Sequence, residues 1–230
     1  MKTKFLFIIG LLSSYLVFGQ DSLRMFRLKT QFIAFTPLKN EIEKVNGLTV
    51  GLGFDSRYAP NTQSNFQKVN GLNLDINPLG FLIWMFYDPS RIAFKEAYLQ
   101  VNGINISAAG YVRGVNHNGV SLSMYNYGNT MNGMLVSAIT TDIEKGNGVL
   151  ISGLGISAKE LKGLSISIFN DANTLKGMQI GFHNKATTGK GLQIGIVNKS
   201  DKLRGLQIGF WNKNGKRKLP LVNWNFKAKK

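Results

Sequence analysis

Glycine recurs along this chain on a near-fixed beat, and each recurrence opens a short alternating apolar stretch. The clearest copies are Leu161-Lys-Gly-Leu-Ser-Ile-Ser-Ile-Phe-Asn170, Leu175-Lys-Gly-Met-Gln-Ile-Gly-Phe-His-Asn184, Gly189-Lys-Gly-Leu-Gln-Ile-Gly-Ile-Val-Asn198 and Leu203-Arg-Gly-Leu-Gln-Ile-Gly-Phe-Trp-Asn212. Their opening glycines, Gly163, Gly177, Gly191 and Gly205, are 14 residues apart. A repeat this short holds one strand and one turn. It cannot bury an apolar face alone and has to stack on its neighbours.

The beat extends backward through Gly148, Gly133, Gly119, Gly103, Gly71 and Gly47. From Gly103 onward the steps are 14 to 16 residues, while the two earlier ones, 24 and 32, hold insertions. The first insertion (Asp55 to Lys68) is polar and the second contains the apolar run Phe81 to Tyr87. Insertions into a repeat frame map to loops or caps on one side.

Within a copy the alternation is of period two, which reads as strand. Placing the large aliphatics on the buried face puts Leu206, Ile208 and Phe210 inside and Gln207, Gly209 and Trp211 outside. On that assignment Ile194→Asp unfolds the late repeats and Gln193→Asp is mild. Helix is expected at most over Pro89 to Ala97. The closing Asn170, Asn184, Asn198 and Asn212 suit turns; if equivalent turns stack, their amides also form a ladder.

The expected fold class is all-β, with tandem 14-residue one-strand repeats stacked as a β-solenoid. Consecutive turns look alike, as a spiral requires, whereas a hairpin array would alternate two kinds. The alternative is an antiparallel β-barrel of the outer membrane, with lipid-facing aliphatics, a polar lumen and aromatic girdles at Trp211, Trp224, Tyr125 and Tyr127. Six or seven patterned residues fall short of the roughly 9–11 that a spanning strand needs.

The chain divides into a signal peptide (1–19), an amino-terminal cap and irregular β region with insertions (20–100), a regular array (101–212) and a basic aromatic cap (213–230). Residues 1–19 carry Lys2 and Lys4, an apolar run to Phe18, and small residues before Gln20. That is the layout of a secretory signal. Phe26 to Phe35 reads as a first cap strand ended by Pro37. No cysteine occurs, which excludes disulfides, thiol catalysis and cysteine-bound metal. Removing the signal leaves a formal charge of +14, a field that attracts polyanions.

Groups able to do chemistry are sparse. The two histidines, His117 and His183, occupy different slots in their copies and read as exposed strand or turn residues rather than metal or acid–base groups. Glu41 and Glu43 have the spacing of a carboxylate pair, as do Asp142 and Glu144, but both pairs fit charged turns better. Gly51-Leu-Gly53 and Gly153-Leu-Gly155 are fragments of a phosphate loop without the helix or lysine that it needs. The expectation is a protein that is not an enzyme, with no catalytic residue, cofactor or metal.

A candidate contact surface lies at the carboxyl end, where Lys213, Lys216, Arg217, Lys218, Lys227, Lys229 and Lys230 interleave with Trp211, Trp224 and Phe226. Its expected partners are anionic lipid head groups or an acidic surface polysaccharide, with membrane association and no nucleic acid. The simpler reading is a solvated cap. Phe81 to Tyr87 is a second contact candidate, at a membrane interface or as a plug on the core.

The consensus Leu-x-Gly-Leu-Gln-Ile-Gly-Phe-x-Asn over 161–212, followed by Leu219-Pro-Leu-Val-Asn-Trp-Asn-Phe226, resembles the short surface-repeat proteins of Gram-negative bacteria. The resemblance is good over 161–226, partial over 101–160 and weak before that. It implies an exported scaffold of the bacterial envelope at the outer membrane or cell surface, the periplasm being a further possibility. A small outer-membrane barrel acting as pore or anchor is the alternative. The resemblance brings no activity, cofactor or catalytic residue with it.

Overall fold

A computed structural model describes residues 29–54, 66–77, 80–86, 97–112 and 114–226. The expected signal (1–19), most of the two insertions and the tail cations Lys227, Lys229 and Lys230 lie outside the described residues. The strands are β1 (Lys29–Thr36), β2 (Ile42–Gly51), β3 (Gln67–Asp75), β4 (Leu99–Ser107), β5 (Gly110–Tyr111), β6 (Val115–Ser152), β7 (Gly155–Ile166), β8 (Phe169–Asn214) and β9 (Arg217–Asn225). Among the described residues one helix, α1 (Gly80–Phe86), follows β3.

Neighbouring strands run parallel from β1 to β8, in the order β1-β2-β3-β4-β6-β7-β8-β9 with β5 beside β6. The sheet is open. It is an all-β coil, and the antiparallel barrel is not the architecture. β6 and β8, at 38 and 46 residues, are longer than one repeat because each winds through more than one turn of the coil. Among the described strands only β9 is antiparallel, folding back on the last turn after Gly215.

The register is set by the glycines. Gly47 pairs with Gly71, Gly71 with Gly103 and Gly103 with Gly119; Gly148 pairs with Gly163 and Gly163 with Gly177. The glycine register is therefore the same on either side of both insertions. Glycine is required here for a steric reason. At Gly177 φ is +143°, and an added Cβ would lie 2.0 Å from the carbonyl oxygen of Gly163 one turn earlier. No side chain fits that distance, and φ in this region disfavours any L-residue.

Taking the opening glycine as position 0, the buried positions in the turn from Gly163 are Leu161 (−2), Ser165 (+2), Ser167 (+4), Asn170 (+7) and Ala172 (+9), with Leu175 starting the next turn. The spacing is two within a strand and three at +4 to +7 and +9 to +12. Each three-residue step turns two successive side chains outward and so makes a corner. Of the Pro89–Ala97 stretch, residues 89–96 lie outside the described residues and Ala97 is not helical; the helix among the described residues is Gly80–Phe86, inside the apolar insertion. That run lacks polar alternation, so it offers no strand face, and periodicity alone does not separate its possible structures.

The face assignment expected from hydrophobicity is reversed. Gln179, Gln193 and Gln207 are fully buried, whereas Ile208 is 39% and Phe210 75% exposed. Stacking explains this. Gln193 Nε2 donates to Gln179 Oε1 and Gln207 Nε2 to Gln193 Oε1, both at 2.7 Å, while Gln207 Nε2 also reaches the Lys213 carbonyl. Identical amides placed one turn apart satisfy one another, which removes the penalty of burying them. Leu and Ala from the −2 and +9 positions fill the rest of the interior.

The asparagine ladder forms as the stacking of equivalent turns implies. Asn170 Nδ2 donates to Asn184 Oδ1 (2.9 Å), Asn184 to Asn198 (2.8 Å) and Asn198 to Asn212 (2.8 Å). It runs opposite in donor direction to the glutamine ladder. The small residues at +4 leave room for it: a Cβ on Gly195 would lie 2.5 Å from Asn184 Nδ2. Earlier turns use a mixed buried chain, Thr49–Asn73–Asn105–Ser121–Asn126–Ser137–Thr141–Ser152.

Candidate functional site

The outer side of the coil is built by the residues left out of the core. At +1 and +3 every one of the ten turns from Gly47 to Gly205 carries Leu, Ile, Val or Met, and none of these side chains is fully buried. Neighbours one turn above and below cover part of each. Ten strands at about 4.8 Å make a face about 45 Å long, and +1 to +5 spans about 13 Å. An apolar surface on the order of 600 Å² is at the upper end of what monomers expose. The antiparallel β9 continues it: Val222 lies opposite Ile208 and Trp224 opposite Leu206, while Asn223 turns inward onto Gln207 Oε1.

The border of this face changes along the coil. At −1, Asn46, Asn70, Asn102, Asn118, Asn132 and Asn147 form an outer ladder with amide contacts of 2.6–2.8 Å. From the next turn the same position holds Lys162, Lys176, Lys190 and Arg204, all exposed. Lys162 stands directly beside Lys176 in register, and like charges opposite one another in a sheet are unfavourable. A second row at +8 is Asp171, Lys185, Lys199 and Lys213. Here Lys185 bonds Asp171 at 2.8 Å, which raises its pKa.

Of the residues singled out at the carboxyl end, Lys213, Lys216, Arg217 and Lys218 come together around the Gly215 hairpin, with Lys213 paired to Lys218 and Asn214 to Arg217. The Arg217 guanidinium lies 5.5 Å from the Trp224 ring centre, a cation–π contact. Trp224 is half exposed. Tyr125 and Tyr127, girdle candidates only under the barrel alternative, stack on each other at 4.9 Å in a buried cluster against which Trp84 of α1 packs.

The remaining candidates separate. Glu41 pairs with Lys29 (3.1 Å) and Glu144 with Lys159, so each pair of spaced carboxylates has a member engaged by a lysine. His183 is partly exposed beside Phe169. His117 is not exposed, contrary to expectation, because it fills the −2 slot that holds buried Val, Met or Leu in most other turns. Its Nδ1 lies 3.0 Å from Tyr111 Oη, and burial pushes its pKa down to about 4 against a smaller upward pull from the Val120 backbone. Nearby, Ser107 Oγ donates to buried Asp75, whose pKa burial raises. Among the described residues no group of three His, Asp or Glu is close enough to hold a metal ion.

The sequence reading missed the outer face and its cation row. The signal was present, since the residue before the opening glycine is Asn six times and then Lys or Arg four times. This coil is thus a parallel β-solenoid with an amide-lined interior and an apolar exterior face. Comparison with family models, with curated proteins and with solved structures finds no match.

Proposed function

We propose that this chain is an exported, non-enzymatic scaffold of the bacterial envelope that binds anionic surfaces through its late, basic turns. The observation that carries this reading is the in-register row Lys162, Lys176, Lys190 and Arg204. Stacked like charges weaken a sheet unless a partner neutralises them. An anionic surface supplies that neutralisation along the whole row at once. The repeat resemblance and the leader-like residues 1–19 support export and an envelope location.

The test is retention of the full chain on anionic and on neutral supports (phosphatidylglycerol against phosphatidylcholine vesicles, and an acidic against a neutral polysaccharide) at low and high salt. The reading predicts retention on at least one anionic support, weakening with salt. Equal binding to charged and neutral supports would refute it.

A further inference from the structure

We infer that the outer apolar face lies flat on an anionic lipid leaflet, with its +1 and +3 side chains in the acyl boundary and the −1 cations at head-group level. This rests on the proposed function and names which anionic surface is meant. Three observations select lipid. The face is apolar in every turn, which suits neither a hydrated polysaccharide nor bulk water. Along the late turns it is edged by Lys162, Lys176, Lys190 and Arg204, on the same outward alternation as Leu164 and Ile166. Long cationic side chains beside an apolar surface reach the head groups while their stems cover hydrocarbon. At the carboxyl end the face finishes in Trp224, half exposed and held by Arg217, an amphipathic ring of the kind that favours the interface.

A second copy of the chain is the competing occupant. Pairing two such faces would bring a second set of cations against the first, with no acidic row on this side to receive them. The charge pattern therefore favours an anionic partner over self-association. Helix α1 adds further exposed apolar side chains: Trp84 packs against the Tyr125–Tyr127 cluster, as does Met124, and Leu82, Met85 and Phe86 are exposed.

The experiment compares three full-length proteins on vesicles of phosphatidylglycerol and phosphatidylcholine. They are the wild type, the charge variant Lys162→Gln/Lys176→Gln/Lys190→Gln/Arg204→Gln and the face variant Ile166→Ser/Ile180→Ser/Ile194→Ser. Each cation near an anionic leaflet contributes about 1 kcal/mol, so removing four should lower the affinity by up to about a thousandfold. The face variant should still associate at low salt but be released by high salt that leaves the wild type bound. Phosphatidylcholine brominated in the acyl chains, mixed into the anionic vesicles, should quench the wild-type tryptophan emission, a readout that needs no variant to fold. Loss of binding in the charge variant with no change in the face variant and no quenching would overturn the lipid bed yet leave the anionic-surface reading standing. Indifference to both sets of substitutions would refute both. A wild-type dimer in sedimentation that the face variant dissociates would assign the face to a second copy and overturn this inference.

Discussion

A single methyl group is enough to test the stacking at Gly177. Its added Cβ would lie 2.0 Å from a backbone oxygen that cannot move without shifting a whole turn. Gly177→Ala should therefore cost on the order of 3 kcal/mol or more, since a left-handed φ and a backbone clash act together. Thermal melts followed by circular dichroism would show it. His117 gives a pH signature. Its folded pKa of about 4 lies below the ordinary value of 6.5, so the unfolded chain binds more protons between the two. Its contribution is intact above pH 6.5 and is lost as pH falls toward 4, on the order of 3 kcal/mol in all. Asp75, with a raised pKa, acts in the opposite sense and loses stability as pH rises. His117→Phe should flatten the acid limb of the stability profile relative to wild type, as measured by denaturant titrations between pH 4 and 7.

At the level of the strand, the coil tolerates a row that a sheet should resist. Lys190→Glu would place a carboxylate between Lys176 and Arg204, exchanging two repulsive neighbours for two attractive ones. It should stabilise the protein by roughly 0.5–1 kcal/mol at low salt, an increment that added NaCl removes. Denaturant midpoints at two ionic strengths check it. The strands themselves were legible: the glycine beat gave their length, their start and the likeness of their turns, and the closing asparagines gave one ladder. Which side of each strand faces in was not legible. Period-two alternation is symmetric, and the usual rule of apolar inside assumes that buried amides lack partners. In-register stacking removes that assumption, because Gln179, Gln193 and Gln207 supply each other. The same inversion hid the candidate site, since residues read as core make up its floor.

For the whole molecule, one turn is an interchangeable unit. Deleting residues 177–190 joins Lys176 to Gly191 and keeps every slot in phase, so a cooperative melt should survive with a modest loss of midpoint. Deleting 13 residues over the same region would put amides outside and aliphatics inside for every later turn, and should abolish the transition. Strand direction was legible from the equality of successive turns, which a hairpin array cannot provide. The continuity of the first turns was not. Gly47 and Gly71 keep the register across insertions whose sequence gives no sign that the chain returns in phase. Helix α1 was hidden because an apolar run without alternation carries no period.

The inward amide and outward aliphatic are adjacent in one turn, so a pair of thermal melts tests the account most directly. Gln193 is fully buried and bonded to the amides above and below it, while the side chain of Ile194 is on the outer face. Gln193→Asp should lower stability by about 3 kcal/mol or more, through a buried charge and two broken contacts, while Ile194→Asp should cost about 1 kcal/mol or less. A mild Gln193→Asp beside an unfolded Ile194→Asp would return the aliphatics to the core and contradict the coil described here.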